Sequence, residues 1–198
     1  FERADAVLEG WYAGQETGTA AADIIFGDVN PSGKLTISIP RSTGHIPVYY
    51  NRKPGTRGFD YVDGPSSAHL PFGFGLSYTS FTYSPVRLSS AEITANEALS
   101  ASVQVTNTGK TAGDEIVQLY IRDTAASVTR PIKELRGFKR IRLEPGETQT
   151  VSLPIDAESL AFYDVNMKRT VEPGTFQVWM HLTALQVNPL SSRSSHRR

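Results

Sequence analysis

The sequence predicts a mainly β chain: an antiparallel two-sheet sandwich that follows the closing segment of an α/β layer. Three observations predict it. Apolar and polar residues alternate along four short runs between residues 99 and 181, with turn residues between the runs. Near the start, a helix-length stretch lies between two short apolar runs. A loop rich in Gly, Pro and aromatic residues separates these two regions.

Taken in order, Ala4 to Tyr12 reads as a short buried strand, an apolar run bounded by Gly14 as in a parallel sheet covered on both faces. A helix is predicted from about Thr17 to Phe26. Thr17 or Thr19 can cap it, Glu16 lies near its positive end, and Gly27 suits the stop. Asn30-Pro31-Ser32-Gly33 has tight-turn chemistry, with Pro second and Gly fourth. From Lys34 to Pro40, Leu35, Ile37 and Ile39 alternate with Lys34, Thr36 and Ser38, which predicts a strand. Strand, helix, strand cannot cover its own faces, so residues 1–40 are expected to be the C-terminal remnant of a larger α/β domain. Exposed apolar faces there are expected to promote self-association.

Residues 41–79 form a long connection carrying Tyr49, Tyr50, Phe59, Tyr61, Phe72 and Phe74. A solvated linker would hold fewer rings. From about residue 80 the β pattern takes over. Leu99, Ala101, Val103 and Val105 point one way, as do Val117, Leu119 and Ile121, then Val151, Leu153 and Ile155, then Phe176, Val178 and Met180. Leu135, Phe138, Ile141, Leu160 and Phe162 are expected to add to this core. Turns fall at Asn107-Thr108-Gly109, Glu144-Pro145-Gly146 and Glu172-Pro173-Gly174. Residues 80–183 thus read as an immunoglobulin-like sandwich able to fold alone, and 184–198 as a disordered, basic tail.

Composition narrows the function classes. Lys plus Arg and Asp plus Glu are 20 each, so no basic excess points to nucleic acid. No apolar run approaches a membrane span. There is no cysteine, hence no disulfide framework or thiolate metal site. His45, His69, His181 and His196 lack metal-ligand spacing, and the reading calls for no metal and no cofactor. No Gly-x-Ser-x-Gly turn offers a nucleophilic serine, and Gly73-Phe74-Gly75 lacks the third glycine of a phosphate loop.

Among the acids, Asp60 and Asp63 read as turn formers beside glycines, and Glu16 as a charge at a helix start. Asp114 and Glu115 are adjacent on a strand, so they face opposite sides and cannot form a facing pair. No catalytic residue is assigned. Sugar binding without catalysis remains open: Tyr49, Tyr50 and Arg57 are the substrate-binding candidates, against the reading in which the rings hold the loop to its own domains.

Several phrases carry a resemblance. They include Gly14-Gln15-Glu16-Thr17-Gly18-Thr19-Ala20-Ala21-Ala22-Asp23, Asn30-Pro31-Ser32-Gly33-Lys34, Ile46-Pro47-Val48-Tyr49-Tyr50-Asn51 and Leu70-Pro71-Phe72-Gly73-Phe74-Gly75-Leu76-Ser77-Tyr78. Later come Gly113-Asp114-Glu115-Ile116-Val117-Gln118-Leu119-Tyr120, Leu135-Arg136-Gly137-Phe138 and Leu143-Glu144-Pro145-Gly146-Glu147. In this order they resemble the rear part of a family 3 glycoside hydrolase of the β-glucosidase or β-xylosidase type, with a fibronectin type III-like last domain. The resemblance implies a retaining β-glycosidase whose Asp nucleophile lies in an N-terminal barrel and whose acid/base Glu lies upstream in the α/β domain. The barrel and the rest of that domain are then the expected partners, and a secreted or periplasmic location is favoured. The alternative is a non-catalytic carbohydrate- or protein-binding module. One departure is the end: after Met180 the chain reads His181-Leu182-Thr183-Ala184-Leu185-Gln186-Val187-Asn188-Pro189, where the family runs on into Gly- and Ser-rich residues. Order is expected to stop at about Leu182.

Overall fold

The structure is a computed structural model; it describes residues 3–55, 60–94, 97–181 and 190–194. The chain is a β-sandwich with a mostly irregular leading segment laid against one end. Helix α1 spans Thr17–Phe26, as its sequence predicts. A three-residue 3₁₀ turn spans Thr43–His45. The strands are β1 (Phe81–Tyr83), β2 (Arg87–Leu88), β3 (Glu92–Ile93), β4 (Leu99–Asn107), β5 (Gly113–Asp123), β6 (Glu134–Leu143) and β7 (Thr148–Ile155), then, after the short helix α2 (Ala157–Leu160), β8 (Phe162–Tyr163), β9 (Arg169–Thr170), β10 (Thr175–His181) and β11 (Leu190–Ser194).

One sheet is built on β4. Strands β1 and β2 pair with successive parts of one of its edges, and β7 pairs with the other. The second sheet has the order β3-β11-β10-β5-β6. Their inner faces share one apolar core. Every residue that alternation assigns inward is buried, except Leu153, which is half-buried and packs on the same core. Each fully buried aliphatic side chain contributes about 1.5–3 kcal/mol, so a period-2 pattern sets the fold.

Several expectations are corrected. Residues 4–12 form no strand, and Val7, Leu8, Trp11 and Tyr12 are exposed, because no described strand lies beside them to take their backbone hydrogen bonds. Lys34 to Pro40 is not a regular strand. Its backbone bonds at two points to the later loop: Leu35 N–H donates to Phe74 O at 2.7 Å and Ile39 N–H to Leu70 O at 2.8 Å. Ile37 is left exposed. Asn30-Pro31-Ser32-Gly33 runs without a turn. Neither Thr17 nor Thr19 caps α1: its N-cap is Glu16 and no side chain makes the cap bond. Gly27 does end it, in the left-handed region at φ 85°.

Phe138, expected in the core, is exposed. It pairs with Gln118 on the outer face of its sheet, beyond the reach of the opposite sheet. A bulge follows: Gly137 pairs with Leu119 but Leu135 with Tyr120, so Arg136 is the extra residue. In the tail, residues 182–189, with Leu185 and Val187, and 195–198 lie outside the described residues. The expectation of disorder fails for Leu190–Ser194, which pairs antiparallel to β10 and parallel to β3. The open edges of those two strands supply the backbone groups that order it.

Among the described residues, no helix is long and apolar enough to cross a membrane.

Candidate functional site

The residues that position everything else sit where the leading segment meets the sandwich. The Asn30 side-chain amide donates to Ala112 O at 3.0 Å, and its carbonyl accepts from Ser77 Oγ at 2.9 Å and from Tyr78 N–H at 2.8 Å. The Tyr78 hydroxyl donates to Ile24 O at 2.6 Å, holding the last turn of α1. Lys34 Nζ lies 3.3 Å from Glu115 Oε1 and 3.2 Å from Gly75 O. Both side chains are almost fully buried, at 7% and 0% exposure. Burial pushes the Glu115 carboxyl up, and the Lys34 charge opposes that. The same carboxylate and its own burial push the Tyr83 phenol up, burial being the larger cause. Sequence reasoning placed Asp114 and Glu115 on opposite faces, and they are: Asp114 turns out to Arg140 and Arg142. It missed that Glu115 would be an interior anion, for which the only signal was its in-phase spacing with Val117 and Leu119.

The aromatic loop packs on the outer face of the five-stranded sheet. Tyr50 stacks on Phe72 with ring centroids 4.1 Å apart and meets Tyr120 edge-on at 6.1 Å. Its hydroxyl accepts from Leu135 N–H at 3.3 Å. Gln118 donates to Gly73 O and accepts from the Tyr120 hydroxyl. Gln118 and Tyr120, on the nominally polar face, are therefore buried.

Of the sugar-contact candidates, Tyr50 is thus a packing residue, Tyr49 is 67% exposed, and Arg57 lies outside the described residues. Tyr49 and Tyr50 both line a cavity of about 650 Å³. Two of its lining segments are joined: Ile132 N–H donates to Arg52 O at 2.9 Å. Lys133 also lines it, and desolvation lowers that amine to about 8. Asp60, also in the lining, accepts from Ser66 N–H at 3.0 Å.

The other acids do structural work. Asp63 sits in the turn closed by Tyr61 and Gly64, and its carboxylate meets His45 Nε2 at 3.0 Å. His45 is buried and stacks on Tyr61. The His45 contact holds the Asp63 carboxyl below the usual range. Asp123, whose carboxyl burial raises, accepts from Ala125 N–H. Neither Glu115 nor Asp123 lines the cavity. Among the described residues no three His, Asp or Glu side chains gather as metal ligands would.

Comparison with known proteins gives a consistent result. A family model described as the glycosyl hydrolase family 3 C-terminal domain matches residues 1–78, and one described as a fibronectin type III-like domain matches residues 115–183. A periplasmic β-glucosidase of Salmonella typhimurium is 49% identical over 199 residues, spanning 94% of this chain and 26% of the relative. A β-xylosidase of Formosa agariphila is 49% identical over 180 residues, spanning 89% of this chain and 25% of the relative. Among solved structures, a β-glucosidase from Erythrobacter marinus superposes with a TM-score of 0.94 at 43% identity, covering 98% of this chain and 26% of that one. A Listeria innocua β-glucosidase mutant in complex with laminaribiose superposes with a TM-score of 0.88 at 36% identity, covering 98% and 28%. The chain spans about a quarter of the length of these relatives.

Proposed function

This chain belongs to glycosyl hydrolase family 3, and we propose from that premise that it is the structural C-terminal part of a retaining β-glycosidase acting on β-glucosides or β-xylosides. In this reading residues 1–40 close the α/β-sandwich domain, 41–79 connect, and 80–183 are the fibronectin type III-like sandwich. The catalytic carboxylates come from the barrel and the rest of the α/β domain, which are its partners.

The observation that carries the reading is the distribution of exposed apolar side chains. Val7, Leu8, Trp11, Ile25, Phe26 and Ile37 cluster in sequence in the leading segment, and none of α1 is buried. A surface of that kind fits one covered by further protein. A second reading, sugar binding without catalysis, is favoured by the cavity that Tyr49 lines.

The test is turnover of nitrophenyl β-glucoside and β-xyloside. The 198-residue chain alone is expected to give none, and a chain extended upstream to the length of the relatives is expected to hydrolyse one of them. Turnover by the 198 residues alone overturns the proposal.

A further inference from the structure

The loop at Pro47–Lys53, the stretch Ser66–Ala68 and the segment Ile132–Lys133 all line the cavity, and its lining is chemically uneven. Part of it is apolar: Pro47, Val48, Pro71 and Ile132, with the exposed Tyr49 ring. Other parts carry hydrogen-bonding groups from Asn51, Ser66 and Ser67. Lys133 is half-buried in this lining, and its ammonium makes no hydrogen bond or ion pair among the described residues. Its neighbour Glu134 is engaged by Arg130 and Arg136. Arg52 and Lys53 add positive charge, against the single carboxylate of Asp60.

We propose that this cavity is a binding site for a saccharide that carries a carboxylate, a uronate-bearing oligosaccharide, with the Lys133 ammonium as its counter-charge. Three observations select that ligand class. A volume of about 650 Å³ is in the range of pockets for organic ligands and far exceeds an inorganic ion. A flat exposed tyrosine face and apolar walls suit the apolar faces of sugar rings, and the serine and asparagine groups suit hydroxyls. One unpaired amine matches a monovalent carboxylate; a phosphate favours several converging donors or an arginine fork. The desolvation that lowers the amine to about 8 is relieved when an anion seats beside it. The site needs only this chain, so it does not rest on the glycosidase reading.

The experiment is calorimetric titration of the 198-residue chain with three probes: xylotriose bearing a glucuronate branch, plain xylotriose, and inorganic phosphate. The acidic oligosaccharide is expected to bind at least about tenfold more tightly than either other probe, the effect of one charge-assisted hydrogen bond. Lys133→Met is expected to erase that preference and Lys133→Arg to keep it, with thermal unfolding as the control for folding. Asp60→Asn, which removes the opposing charge, is expected to tighten the acidic probe. In the unaltered chain, affinity for the acidic probe is expected to fall as pH rises through about 8, where Lys133 loses its proton; the other charged groups in the lining are Arg52, Lys53 and Asp60. That profile serves if Lys133→Met fails to fold.

Equal binding of acidic and plain xylotriose overturns the proposal. So does phosphate binding as tightly as the acidic probe, a flat pH profile, a folded Lys133→Met with unchanged preference, or no heat from any probe at millimolar concentration. None of these results bears on nitrophenyl glycoside turnover, so the two readings fail separately.

Discussion

Glu115 and Lys34 show how far one residue's role depends on context. In sequence they are 81 positions apart, each an ordinary surface-type residue. In the fold they form an ion pair in the interior, where each charge depends on the other for its solvation. Removing one partner leaves a buried unpaired charge, which costs about 3–5 kcal/mol. Glu115→Gln is therefore expected to lower unfolding stability by that amount in urea titration at neutral pH. Combining it with Lys34→Met is expected to recover most of the loss. A single variant as stable as the unaltered chain would show that the pair is solvated. None of this was legible beforehand, because a sequence pattern assigns Glu115 to a face of β5 without revealing which cation reaches it. The face itself was legible. Tyr50 falls between: its aromaticity marked it, but only the structure shows its stack on Phe72 and its edge contact with Tyr120.

At the level of elements, the long strands were readable and the short or irregular ones were not. Strands β4, β7 and β10 alternate because one face is more deeply buried than the other, whereas β5 alternates in sequence but is buried on both faces at Gln118 and Tyr120, where the aromatic loop covers it. Strand β6 does not, since it is an edge strand carrying a bulge that shifts its pairing at Leu119 and Tyr120. The segment from Lys34 to Pro40 has strand alternation, but its backbone pairs with the later loop at two residues, Leu35 with Gly73 and Phe74 and Ile39 with His69 and Leu70. That seam depends on close approach. A Cβ at Gly75 would overlap the carbonyl oxygen of Gly33 and crowd Lys34 Cδ at 3.1 Å. Gly75→Ala is expected to destabilise the docked leading segment by about 1–3 kcal/mol, as overpacking does. Hydrogen exchange should then report faster exchange at the Leu35 and Gly73 amides, with β4 and β7 unaffected. Unchanged protection at Leu35 would show that the seam can yield.

For the molecule as a whole, the leading segment and the sandwich differ in kind. The sandwich closes its own core. The leading segment leaves Trp11, Ile25 and Phe26 in solvent. The 198-residue chain is accordingly expected to self-associate, with a mass by light scattering that rises with concentration, and Trp11→Ser with Phe26→Ser is expected to suppress the rise. A constant monomer mass at high concentration would count against an apolar docking face.

By itself, the sequence determined the sandwich, the position of α1, its glycine stop and the family. These follow from local periodicity and from phrases whose order is preserved along the chain. The tertiary structure alone decided that residues 4–12 form no strand, that Asn30 and Lys34 fasten the two regions, and that Leu190–Ser194 pairs between β3 and β10. It alone set Lys133 into a cavity beside Tyr49. The reason is range. Periodicity records which side of an element is dry, whereas hydrogen bonds and ion pairs between residues about 80 positions apart depend on where the chain returns.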